Sequence, residues 1–111
     1  MYLMGYVRGA TAVYATEQFD AWLRWLRDTR AKSTVLARID RLSDGNAGDC
    51  APIGEGVSEM RIHGGPGYRV YFVQLAAKVV VLLAAGDKRT QPRDIERARG
   101  LARNLSWGIN A

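Results

Sequence analysis

The sequence predicts an α+β domain, and three features carry that prediction. Residues 59–63 and 68–73 alternate polar and apolar side chains at the period of a strand. Two stretches between Glu17 and Ser43 repeat apolar residues at helical spacing, and a third follows Pro92. Residues 79–83 are apolar on both alternating faces, as in a strand covered on both sides or ending in a crowded core. The order is strand, helix, helix, strand, strand, strand, helix. It predicts an N-terminal strand and a helical hairpin packed on a mostly antiparallel four-stranded sheet, with a C-terminal helix and all helices against one side.

Residues 1–10 hold two glycines and no clear period. They read as an extension, partly disordered or added to a sheet edge, ahead of a single domain over 11–111. Residues 11–14 favour a strand, and Thr16 followed by Glu17 is an N-cap pattern. In the first helix, over 17–29, Phe19, Trp22, Leu23 and Leu26 form the apolar stripe. In the second, over 31–43, Val35, Leu36, Ile39 and Leu42 do so, with Lys32, Arg38 and Arg41 outside. The joint at Thr29-Arg30 leaves room only for a hairpin. Gly45, Asn46 and Gly48 stop the second helix, and 49–54 reads as a loop. His63-Gly64-Gly65-Pro66-Gly67 favours chain reversal, so the two alternating strands form an antiparallel hairpin. The last helix begins at Pro92, buries Ile95, Ala98, Leu101, Ala102 and Leu105, and ends near Ser106, with Trp107 and Ile109 packing back.

At 111 residues the chain fits one domain. Sixteen Lys and Arg against eleven Asp and Glu give a net charge of +5, which suits a polyanionic partner. One cysteine, Cys50, rules out an internal disulfide and a Cys-based metal cluster, and one histidine rules out a multi-His metal site. No metal or cofactor is expected. The apolar run 79–85 is too short to span a bilayer, and no secretion signal is evident, so the default location is the cytoplasm. The glycines at 64, 65 and 67 lack the spacing of a nucleotide-binding loop, and the carboxylates are scattered rather than paired.

The polar face of the hairpin gathers Glu59, Arg61, His63, Arg69 and Tyr71, and Lys88 and Arg89 follow the last strand. Guanidinium and ammonium groups stabilise charge on a phosphate, Tyr71 or His63 transfers protons, and Tyr71 is also able to stack on a base. Such a set suits cleavage of RNA, which carries its own nucleophile in the 2′-OH. A plainer assignment pairs Arg61 and Arg69 with Glu59 across the strands, makes Tyr71 a sheet cover and leaves His63 in a turn. Lys32, Arg38 and Arg41 form either a solvated face or a rim that steers a phosphate backbone.

The segments Gly56-Val57-Ser58-Glu59-Met60-Arg61-Ile62-His63, Gly67-Tyr68-Arg69-Val70-Tyr71-Phe72 and Gly86-Asp87-Lys88, with Gln91 and Asp94-Ile95-Glu96-Arg97-Ala98, together resemble the HigB-like branch of the RelE/ParE toxin superfamily, also described as phage-derived Gp49-like or addiction-module killer proteins. The resemblance runs from about Thr11 to Leu105. It implies a toxin of a type II toxin–antitoxin pair that cuts mRNA in the ribosomal A site without metal, held in check by a HigA-like helix-turn-helix antitoxin. It further implies that Arg61, Arg69 and Lys88 carry the activity, with Arg89 a weaker candidate; Tyr71 and His63 are additions from face geometry. Ala84-Ala85 stands where Cys-Gly is common, Arg89 where a small hydroxyl residue is common, and Gly64 where a bulkier residue is frequent. The superfamily also holds ParE-like gyrase poisons, which share the fold without cutting RNA, so fold alone does not decide. An inactive antitoxin-binding module is the third reading.

Overall fold

The computed structural model describes the backbone of residues 3–5 and 10–110 and the side chains of residues 10–105. Its elements are β1 (Leu3–Gly5), β2 (Ala12–Thr16), α1 (Glu17–Trp25), α2 (Thr29–Ser43), β3 (Cys50–Gly54), β4 (Val57–Arg61), β5 (Arg69–Ala76), β6 (Val79–Gly86), a single 3-10 turn (Lys88–Thr90) and α3 (Gln91–Asn110). The fold is α+β, and the strands form one sheet in the order β1-β2-β6-β5-β4-β3. Every neighbouring pair is antiparallel except β2 and β6, which run parallel.

Among the described residues the sheet has six strands rather than four. Leu3–Gly5 pairs with β2 at one edge, and Cys50–Gly54, expected as a loop, pairs with β4 at the other. Glu55 and Gly56, at φ 59° and 76°, make the two-residue turn between β3 and β4, the left-handed pair that matches strand twist. The remaining residues of 1–9, and the side chains of Trp107 and Ile109, lie outside the described residues.

The helices do not share one side. Phe19 and Leu23 of α1 and Val35, Ile39 and Leu42 of α2 pack with Val13, Met60, Val70, Phe72 and Leu82 on one face. Ala98, Ala102 and Leu105 of α3 pack with Val57, Tyr71, Val73, Val81 and Leu83 on the other. This is why β6 is apolar at successive positions: both of its faces are covered. Burial of large side chains at roughly 1.5–3 kcal/mol each therefore comes from two cores, not one.

Local chemistry sets the helix ends. The Thr16 hydroxyl accepts from Phe19 N at 3.1 Å to cap α1 and donates to Leu83 O at 2.6 Å, so one buried group starts the helix and ties it to β6. α1 stops at Trp25, short of the expected Thr29, because Asp28 takes the N-cap position of α2 and accepts from Ala31 N at 3.0 Å. Leu26 still packs on the core, whereas Leu36, expected in the buried stripe, is exposed. No helix of the described residues is long and apolar enough to cross a membrane.

Candidate functional site

Strand register brings the cations together. Arg61 on β4 stands opposite Arg69 on β5, and Arg69 stands opposite Gly86 on β6. Two residues along the ladder, Glu59 faces Tyr71. Alternation places these side chains on the α3 face, with Val57 and Val73 further along it. α3 covers the Tyr71 end, and its start and the preceding 3-10 turn border the Arg61 and Arg69 end. Gly86 permits that approach, because a Cβ there would strike the Asp94 carboxylate and the Thr90 hydroxyl. Asp87 shapes the turn: its Oδ1 accepts from Arg89 N at 2.8 Å and Thr90 N at 3.3 Å. Lys88 N donates to Pro66 O at 3.4 Å, and one point above Gly67 lies 3.0 Å from Arg69 Nη1 and 3.5 Å from Lys88 Cβ. Arg61, Arg69 and Lys88 thus border one end of the sheet.

Their electrostatics centre on Glu59. Its carboxylate lies 3.6 Å from the Nε of Arg61 and 3.6 Å from the Nε of Arg69. It also accepts from Tyr71 Oη at 3.1 Å and from Gln91 Nε2 at 2.8 Å. Arg69 Nε is buried without a hydrogen bond, so charge, not a bond, holds it to Glu59. Arg69 Nη1 donates to Gly67 O at 2.5 Å. Burial first, then the Glu59 charge and hydrogen bond, raises the Tyr71 pKa well above the ordinary phenol value. Tyr68, edge-on to Trp22, is also raised, by burial and then by Asp28 and Asp87.

The sequence-derived candidates separate by exposure. The Arg61 side chain is 46% exposed and Arg69 15%, while Lys88 and Arg89 are exposed, Arg89 pairing with Asp87 at 3.5 Å. His63 is exposed beyond the end of β4, its Nε2 2.6 Å from Asp49 Oδ2. Two candidates fail on burial. Tyr71 is fully buried beneath α3 with its hydroxyl on Glu59, so it neither carries protons to a substrate nor stacks on a base. Arg38 is buried and faces inward: Nη1 donates to Arg61 O at 2.7 Å, and Nη2 to Ala47 O at 3.1 Å and Asp49 O at 3.2 Å. Its guanidinium braces the β4 end, where a phosphate cannot reach it. Arg41, exposed, and Lys32, half-buried, belong to α2, which covers the opposite face, so neither joins the cluster.

Asp49 and Gln91 were not among the sequence candidates. Asp49 meets both His63 and Arg61, the latter at 3.7 Å, yet sits in a stretch that reads as loop. Gln91 is visible beforehand only as part of the Gly-Asp-Lys segment. The described residues hold no group of three or more His, Cys, Asp or Glu that could bind a metal ion.

Fold and site together define a small α+β protein with a cationic end to its sheet. The family model described as "Phage derived protein Gp49-like (DUF891)" matches residues 21–103, and the chain belongs to this family, part of the RelE/ParE toxin superfamily. The matched span contains every candidate from Lys32 to Arg89. A Haemophilus influenzae protein named only "Uncharacterized protein" is 45% identical over 93 residues, covering 84% of this chain and 94% of its own length. No solved structure matches the chain.

Proposed function

We propose that this chain is the toxin of a type II toxin–antitoxin pair and acts as a ribosome-dependent endoribonuclease that cuts mRNA in the A site. One observation carries the reading: Arg61 and Arg69, neighbours across β4 and β5, border the same end of the sheet as Lys88. Family membership supports the toxin class and an antitoxin partner; the partner proposed is a HigA-like helix-turn-helix protein, and the place of action is the cytoplasm.

The reaction asks little of the enzyme beyond charge and proton control. The message's 2′-oxygen attacks the adjacent phosphorus, the bond from phosphorus to the 5′-oxygen breaks, and the products are a cyclic 2′,3′-phosphate and a 5′-hydroxyl. Arg61 and Arg69 take the charge that grows on the phosphate oxygens. The Lys88 ammonium gives the leaving 5′-oxygen the proton that makes it a hydroxyl, with exposed Arg89 adding positive potential beside it. Burial of Tyr71 leaves His63, paired with Asp49, as the group able to exchange the 2′-OH proton.

Purified ribosomes carrying a defined message test this by primer extension. Wild type should cut the message, and Arg69→Ala should slow cutting by about 10²–10³-fold. An intact message, or gyrase-dependent DNA breaks in its place, would overturn the reading.

A further inference from the structure

Glu59 is an anion buried at the centre of a site built for an anion. A buried carboxylate persists only where its oxygens find donors or opposite charge, and here neutral donors from two elements meet one oxygen while an arginine faces each. Tyr71 of β5 and Gln91 at the start of α3 both donate to Oε2. Pinned in this way, the carboxylate faces one arginine with each oxygen: Arg61 Nε lies 3.6 Å from Oε1 and Arg69 Nε 3.6 Å from Oε2. Both arginines meet it by Nε, so their Nη groups turn to other partners. Arg69 Nη1 takes Gly67 O, and Arg61 Nη1 lies 3.7 Å from Asp49 Oδ1. Among the described residues, Nη2 of each arginine remains for a ligand oxygen.

We infer that Glu59 is a positioning residue: it holds Arg61 and Arg69 side by side for a single phosphate and, through Gln91, ties them to the segment that carries Lys88. At 3% exposure it does not touch RNA itself, and acts through the arginines. Its charge also opposes phosphate binding, so its removal should loosen the arginines without weakening the protein's attraction for RNA. The effect on cleavage rests on the reading above; the effect on the arginines does not.

The test uses Glu59→Gln, which keeps shape and loses charge. In 15N relaxation of arginine side chains, wild type should show Nε–H of Arg61 and Arg69 restricted relative to exposed Arg93. Glu59→Gln should release both toward the Arg93 level, Arg61 further than Arg69, whose Nη1 keeps Gly67 O, while the backbone spectrum stays folded. On programmed ribosomes, kcat should fall about 10-fold or more with KM unchanged or lower. If Glu59→Gln does not fold, Gln91→Ala, which keeps the charge and removes one donor, should give the same release in smaller degree. Signals that stay restricted would refute the tether, and released signals with cleavage at the wild-type rate would refute the positioning role. Should wild type leave every message intact, the nuclease reading fails by itself, and side-chain relaxation still decides whether Glu59 holds the arginines.

Discussion

Removing the Arg38 side chain takes donors from three backbone carbonyls at once, those of Arg61, Ala47 and Asp49. Arg38→Ala should destabilise the fold by about 2–4 kcal/mol in urea unfolding, against less than about 0.5 kcal/mol for exposed Arg41→Ala. The two residues lie one turn apart on α2, and the helical pattern puts both outside. What separates them is where a long flexible side chain ends, which is set by the loop ahead of β3 and the end of β4. Tyr71 is a similar case. Alternation correctly places it with Arg69, but says nothing about what covers that face. Its folded pKa is raised, so the stability tied to the neutral phenol is complete below about pH 10, the unfolded value, and is lost as pH rises from there through the folded value. Tyr71→Phe should therefore make stability fall less steeply above about pH 10 in urea melts. At neutral pH the same change should cost about 1.5–3 kcal/mol, the bond to a charged acceptor.

Among the elements, α3 decides whether the site exists as a site. Its first turn comes down onto the sheet through the space over Gly86, where a methyl group would meet Asp94 and Thr90. Gly86→Ala should displace that turn and with it Lys88, lowering stability by about 1–3 kcal/mol and any phosphate-dependent activity further. Asp87→Ala removes the acceptor for Arg89 N and Thr90 N and should cost about 1 kcal/mol, read by thermal unfolding. The three helices and the β4, β5 and β6 strands were legible because their periods run long enough to be distinct. β3 was not: five residues with Pro52 among them, joined to β4 by Glu55-Gly56 instead of the commoner Asn-Gly or Asp-Gly, give no alternation to read. The ladder with β4 seats it, and α3 adds a tie across 46 residues, where Arg99 Nε donates to Ile53 O at 2.7 Å.

The positive charge of +5 is spread over both layers, and among the described residues one end of the sheet concentrates cations across strands. Binding of a short single-stranded RNA should weaken with salt at a log–log slope near about −2, as three phosphate contacts require, and Lys88→Gln should reduce that slope by about 0.7. A slope unchanged by Lys88→Gln would take Lys88 out of the contact. The arginines on one hairpin were legible as a group. Their relation to Lys88 followed from the family resemblance, and its physical cause, the descent of α3 over Gly86, shows only in three dimensions. The parallel pairing of β2 with β6 carries its own consequence. Thr16 waits for a partner 67 residues later, so β2 has no seat beside β6 until that last strand has been synthesised. A chain broken off before that point has its arginines but neither the floor beneath them nor the lysine beside them. Termination before β6 therefore leaves a fragment that cannot assemble the cationic end of the sheet.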